Sequence, residues 1–84
     1  MPTLTVYDSY VLLENFDLPL WICFSFCEDG VYIGPKKDTL YYENYNVIMS
    51  DDKVYSPDIV YEFKKRGIKE ASFILFNGVY FIMP

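Results

Sequence analysis

Asn77-Gly78, set between two runs of branched and aromatic residues, constrains this chain more than any other dipeptide in it. A type I′ turn needs positive φ at both central positions, which Asn and Gly tolerate, and its twist matches the strands it joins. Residues 71–76 and 79–83 are therefore predicted to form a hairpin. Its register sets Phe76 opposite Val79, Leu75 opposite Tyr80, Ile74 opposite Phe81 and Phe73 opposite Ile82. A second hairpin is expected about Glu28-Asp29-Gly30, read as a three-residue loop with Gly30 left-handed, between Trp21–Cys27 and residues 31–33. Gly34-Pro35 ends its return strand.

One helix is marked at both ends. Ser56 suits the N-cap, Pro57 the first helical position, and Asp58 the positive end of the dipole. Tyr55 is placed to staple onto Val60. Lys64, Lys65 and Arg66 crowd the negative end, and Gly67 follows as a left-handed stop. The helix is predicted over about residues 57–66, with Ile59, Val60 and Phe63 as its apolar stripe. Residues 3–7 and 10–13 read as short strands about Asp8-Ser9. Residues 39–42 and 47–49 flank a polar Glu43-Asn44-Tyr45-Asn46, which suggests a further hairpin, with a helix starting at Asp38 as the rival. The expected fold is α+β, one domain over residues 1–84. It has a mainly antiparallel sheet built from hairpins, one short helix, and possible closure as a small barrel or sandwich.

Counting faces exposes a shortage of cover. In the last hairpin Ile74, Phe76, Val79, Phe81 and Met83 fall on one face, and Phe73, Leu75, Tyr80 and Ile82 on the other. In the earlier one Trp21, Cys23, Cys27, Val31 and Ile33 are expected to oppose Ile22, Phe24, Phe26 and Tyr32. A sheet with one wet face alternates apolar with polar, and neither hairpin does. One ten-residue helix cannot cover both, so either strands cover strands in a small barrel or sandwich, or a partner, a second copy or another protein, covers the remaining face. Self-association as a dimer through the apolar sheet surface is expected.

The residue types exclude most chemistry. The chain has no histidine, and so lacks the commonest general base and metal ligand. Cys23 and Cys27, four apart on one strand, would have Cα atoms about 13 Å apart at about 3.3 Å per residue. That is too far for a disulfide. No cationic neighbour lowers a thiol pKa there, so both read as buried thiols of a reduced protein. No serine lies in a nucleophile elbow, no glycine-rich phosphate loop exists, and no acid spacing matches a calcium loop. Asp51-Asp52 and Glu28-Asp29 read as turn residues. A catalytic site, a cofactor and a metal are all unexpected. The longest nearly uncharged apolar stretch, residues 18–27, is half of a membrane span, and the first residues do not read as a signal peptide. The cytoplasm is the expected compartment, a host's if the chain is phage-encoded.

Charge is unevenly placed within the formal −5: residues 1–62 hold eleven acids and three bases, residues 63–84 one acid and four bases. The acids of the middle segment, which include Asp58 and Glu62, are interleaved with tyrosines such as Tyr61. Tyrosine gives large contact area with few rotatable bonds and keeps a polar tip. Asp38, Tyr41, Tyr42, Glu43, Tyr45, Asp51, Asp52 and Tyr55 are therefore the candidate protein-binding face, suited to a basic partner. The function expected is a small non-catalytic binder, an inhibitor or modulator of another protein, by analogy of size and composition with phage antagonists of host enzymes and with immunity proteins. The alternative is a nucleic-acid-binding or regulatory module using Lys64, Lys65, Arg66 and Lys69. Direct nucleic-acid binding is disfavoured because phosphate contacts need a broader basic surface. A further alternative is a structural subunit of a viral or larger assembly.

Overall fold

Short polar turns punctuate the apolar runs, and strands form between them. The computed structural model describes residues 1–36 and 43–82. Nine strands and one helix follow in order: β1 (Thr3–Val6), β2 (Val11–Glu14), β3 (Trp21–Cys27), β4 (Gly30–Pro35), β5 (Glu43–Ile48), β6 (Lys53–Val54), α1 (Pro57–Lys65), β7 (Glu70–Ser72), β8 (Ile74–Phe76) and β9 (Val79–Ile82). They make two antiparallel sheets, ordered β6-β2-β1-β7 and β5-β3-β4-β9-β8. The two sheets and the helix share one core, and among the described residues the strands do not close into a barrel. The α+β expectation holds, as an open two-sheet arrangement.

The sequence signals of α1 are met. The Ser56 hydroxyl accepts from the Ile59 N–H at 3.3 Å. At the other end Gly67 takes φ +73°, its N–H donates to the Lys64 carbonyl, and the Ile68 N–H reaches back to the Phe63 carbonyl at 2.9 Å. These two bonds are a Schellman stop at Gly67, as expected; the helix itself ends at Lys65, one residue earlier than expected, with Arg66 as the cap. Ile59, Val60 and Phe63 are buried as the stripe requires. Tyr55, placed by the sequence as a staple on Val60, is largely exposed, and its ring packs on Tyr10 instead.

The Asn77-Gly78 turn has φ 51° and 77°, with Phe76 facing Val79, Leu75 facing Tyr80 and Ile74 facing Phe81, as predicted. The fourth pair, Phe73 with Ile82, does not form. The run over residues 71–76 is two strands: β7 pairs with β1 in the first sheet, β8 with β9 in the second. Phe73 is the point of change. Its ring is fully buried against Phe16, and its N–H donates to the Pro2 carbonyl at 2.8 Å. Ile82 pairs with Val31 in β4.

Two further expectations are corrected. Cys27 pairs with Gly30, so the β3–β4 loop is the two residues Glu28-Asp29, not three. A one-residue change of register moves every side chain of the return strand to the other face. Val31 and Ile33 therefore lie inward beside Phe26 and Phe24, and Tyr32 lies outward beside Ser25. Second, Glu43-Asn44-Tyr45-Asn46 is strand, not turn. It pairs along β3, where Asn44 Oδ1 accepts from the buried Ser25 hydroxyl at 2.6 Å. Residues 39–42, and the rival helix starting at Asp38, lie outside the described residues. Cys23 and Cys27 are both buried and free, as expected of that strand.

At the centre Phe63 stands edge-on to Phe24 and to Phe26, with ring centroids 6.1 and 5.1 Å away. Truncation of a buried phenylalanine removes its transfer energy and leaves a cavity. Phe63→Ala is expected to lower the unfolding free energy by about 3–5 kcal/mol, read as a fall in the urea midpoint.

Candidate protein-binding surface

Burial of Phe63 turns the preceding residue of α1 toward β5, and this builds a polar node. Glu62 is only 4% exposed. One carboxylate oxygen accepts from the Tyr45 hydroxyl at 3.1 Å, and the other pairs with Lys65 Nζ at 3.2 Å. The same hydroxyl lies 3.4 Å from Glu43 Oε2. Burial pushes the Glu62 carboxyl up, but contacts with Lys65, Glu43 and Tyr45 outweigh it, and the group titrates below the ordinary glutamate range. Tyr45 goes the other way. Burial, then the hydrogen bond and charge of Glu62, then Glu43 and Asp58, push its hydroxyl up to about 12. The Tyr45 ring packs edge-on against Phe26, so it faces the helix and the core. Glu43 and Tyr45 of the candidate face are therefore joined to Glu62, but as a partly buried structural contact.

The other described members sit about β6. Asp51 and Asp52 occupy the centre of a tight turn closed in both directions between Ser50 and Lys53, at 3.0 and 2.9 Å. Both have positive φ, 53° and 62°. This is the type I′ geometry that Asn-Gly serves without strain, and it holds two exposed carboxylates at about 1–3 kcal/mol of backbone cost each. The turn reading was right, and its conformation is the unexpected part. The Leu13 N–H donates to the Asp52 carbonyl at 2.8 Å and ties the turn to β2.

At the far end of β6, pairing of Val54 with Val11 sets Tyr55 beside Tyr10. Their ring centroids are 5.4 Å apart, and Tyr10 stacks on Tyr7 at 4.9 Å. Lys53 lies over the Tyr10 ring at 5.3 Å. Tyr7 and Tyr55 are exposed. Sequence reasoning missed Tyr7 and Tyr10, because their neighbours in the chain carry no sign of the strand that brings Tyr55 to them. Asp38, Tyr41 and Tyr42 lie outside the described residues.

The basic cluster is divided among separate tasks. Lys64 pairs with Asp8 at 3.3 Å, an exposed contact of little energy. Lys65 serves Glu62. Arg66 donates to the Cys27 carbonyl at 2.6 Å, with its guanidinium 5.4 Å from the Phe26 ring. Lys69 contributes its carbonyl to the Val6 N–H. Burial, and after it the charge of Asp29, raise the Cys27 thiol, with Arg66 a smaller opposing influence, so it is poorly suited to act as a nucleophile. Arg66 also borders an open groove of about 890 Å³ beside β7, walled by Val31, Ile74, Phe81 and Ile82 with Glu28 and Glu70 at its rim. None of the described acid–tyrosine candidates lines it. Among the described residues no group of three or more acids and cysteines could hold a metal, and no helix is long and apolar enough to cross a membrane. No protein family, curated protein or solved structure matches the chain.

Two titrations follow from the node. The raised Tyr45 value favours the neutral hydroxyl in the fold, so its contribution to stability is complete below about pH 10 and is lost as pH rises toward about 12. Tyr45→Phe is expected to flatten that part of a urea-midpoint profile. Glu62 has a lowered value, so its contribution is present above the ordinary 4.5 and is lost as pH falls below it. Glu62→Gln is expected to flatten the acid limb. For the strained turn, Asp52→Gly should raise the unfolding free energy by about 1 kcal/mol, measured by the same denaturation.

Proposed function

We propose that this chain is a small non-catalytic protein that acts by binding another protein, as an inhibitor or modulator of it. The observation that carries the reading is the pair of carboxylates at Asp51 and Asp52, held outward on a tip that costs backbone strain. Strain retained at a surface position points to use there, since an Asn-Gly tip would be more stable. The exposed stack of Tyr7, Tyr10 and Tyr55 lies at the other end of the same two-residue strand, about 10 Å away at about 3.3 Å per residue. Acids beside exposed aromatics fit a basic face on the partner. The absence of histidine and the raised Cys27 thiol support a non-catalytic role. Two buried free thiols fit a reducing cytoplasm.

Nucleic-acid binding is the second reading, because a cluster of three tyrosines, Tyr7 stacked on Tyr10 and Tyr55 tilted against it, with Lys53 over the Tyr10 ring, could stack bases. Against it, Lys65 and Arg66 are occupied by Glu62 and the Cys27 carbonyl, and the Asp51-Asp52 tip would repel phosphates. Affinity capture with the tagged chain separates the two. The proposal expects one partner protein, lost when Asp51→Asn, Asp52→Asn and Tyr55→Ala are combined and kept when Lys64 and Lys69, which hold no buried group, are changed to Glu. Salt-sensitive retention on single-stranded DNA, abolished by the lysine changes alone, would contradict it.

A further inference from the structure

Among the described residues β8 is the least protected edge. Its three side chains, Ile74, Leu75 and Phe76, are 60, 53 and 65% exposed. An edge strand offers unpaired backbone groups to any passing strand, and soluble proteins blunt such edges with charge, proline or a bulge. The other three edge strands among the described residues each carry a charge: Glu43 on β5, Lys53 on β6 and Glu70 on β7. β8 carries none, and residues 71–84 contain no Asp, Glu, Lys or Arg.

The register shows which backbone groups are free. Phe76 and Val79 flank a two-residue turn, so they exchange hydrogen bonds, as do Ile74 and Phe81 two residues on. The N–H and carbonyl of Leu75, between them, point away from β9. We infer that the β8 edge pairs with the same edge of a second copy of this chain, antiparallel, with Leu75 facing Leu75 across a two-fold axis. The Leu75 N–H of each copy donates to the Leu75 carbonyl of the other. Ile74 of one copy then faces Phe76 of the other, an aliphatic–aromatic cross-strand pair made twice. The two five-stranded sheets become one of ten.

Charge identifies the occupant as a second copy. Each molecule carries a formal −5, with acids at the β3–β4 loop, the Asp51-Asp52 tip and the α1–β5 node. The β8–β9 hairpin is a charge-free tract through which two equally acidic molecules meet at least Coulomb cost. The edge is also self-complementary, as an isologous contact requires. At roughly 200 Å² for a large side chain, even complete burial of Ile74, Leu75 and Phe76 would remove no more than about 350 Å² per copy. That is well under the about 800 Å² per partner of a standard stable interface. The dimer is therefore weak and reversible, and it leaves the Asp51-Asp52 tip on another sheet free.

Sedimentation equilibrium of the full chain tests this, from about 10 µM to about 1 mM, the range in which such weak contacts form. The mass is expected to rise from 9.9 kDa toward twice that value. Leu75→Lys and Leu75→Pro should each weaken association at least tenfold while circular dichroism stays native, because proline removes only an N–H that the monomer does not use. A monomer at every concentration overturns the inference. So does a dimer that both variants leave unchanged, which would place the contact elsewhere, for instance about Trp21 and Ile48. Neither failure bears on the acid–tyrosine surface, which the capture experiment reads separately.

Discussion

The edge-on seat of Phe63 against Phe24 and Phe26 is the contact on which the other arrangements rest. It fixes α1 over the inner face of β3, the second strand of the larger sheet. Once Phe63 is down, Glu62 must lie against β5, where Tyr45 and Lys65 satisfy its carboxylate. Arg66, three residues past Phe63 on the helical spiral, is delivered to the Cys27 carbonyl and the Phe26 ring. The Schellman stop then turns the chain through Ile68, which joins the same core, into β7. A node that looks like surface chemistry in the sequence is in this way mostly scaffold.

A second constraint acts at Phe73. The chain leaves the first sheet at Ser72 and enters the second at Ile74, and only the buried Phe73 ring, packed on Phe16, separates them. Phe16 also packs on Tyr80, whose hydroxyl accepts from the Asp17 N–H at 2.8 Å. The switch spends the inward position of the strand at Phe73 and sends the next three residues to the rim. Their exposure follows from the connectivity, and it locates the shortage of cover that the sequence implied: in the last hairpin, about β8.

What was legible in the sequence was what neighbours in the chain decide. Ser56-Pro57-Asp58, Gly67 and Asn77-Gly78 act within a turn of the backbone, and each is where it was expected. The faces of β4 were misassigned because two- and three-residue loops about Glu28-Asp29-Gly30 differ by one position, and one position reverses a strand. Glu43 to Asn46 were read as a turn because their polar side chains suit one. They are strand because Ser25, eighteen residues earlier than Glu43, offers Asn44 a buried hydroxyl. The Tyr7–Tyr10–Tyr55 stack depends on the pairing of Val11 with Val54, which no local pattern announces. A valine beside a tyrosine in each segment was the sole trace of it.

Two surfaces of different character thus emerge on one small chain. A strained acidic tip and a tyrosine stack flank β6, and an uncharged strand edge closes the larger sheet. The second is the more sharply determined, because register fixes which amide is free. Amide hydrogen exchange of Leu75, followed as the protein is concentrated, tests it at that one group. The account requires exchange at Leu75 to slow as concentration rises, while Ile74 and Phe76, already bonded to β9, change little. An exchange rate at Leu75 that is independent of concentration, in a solution where the mass shows dimer, would contradict it.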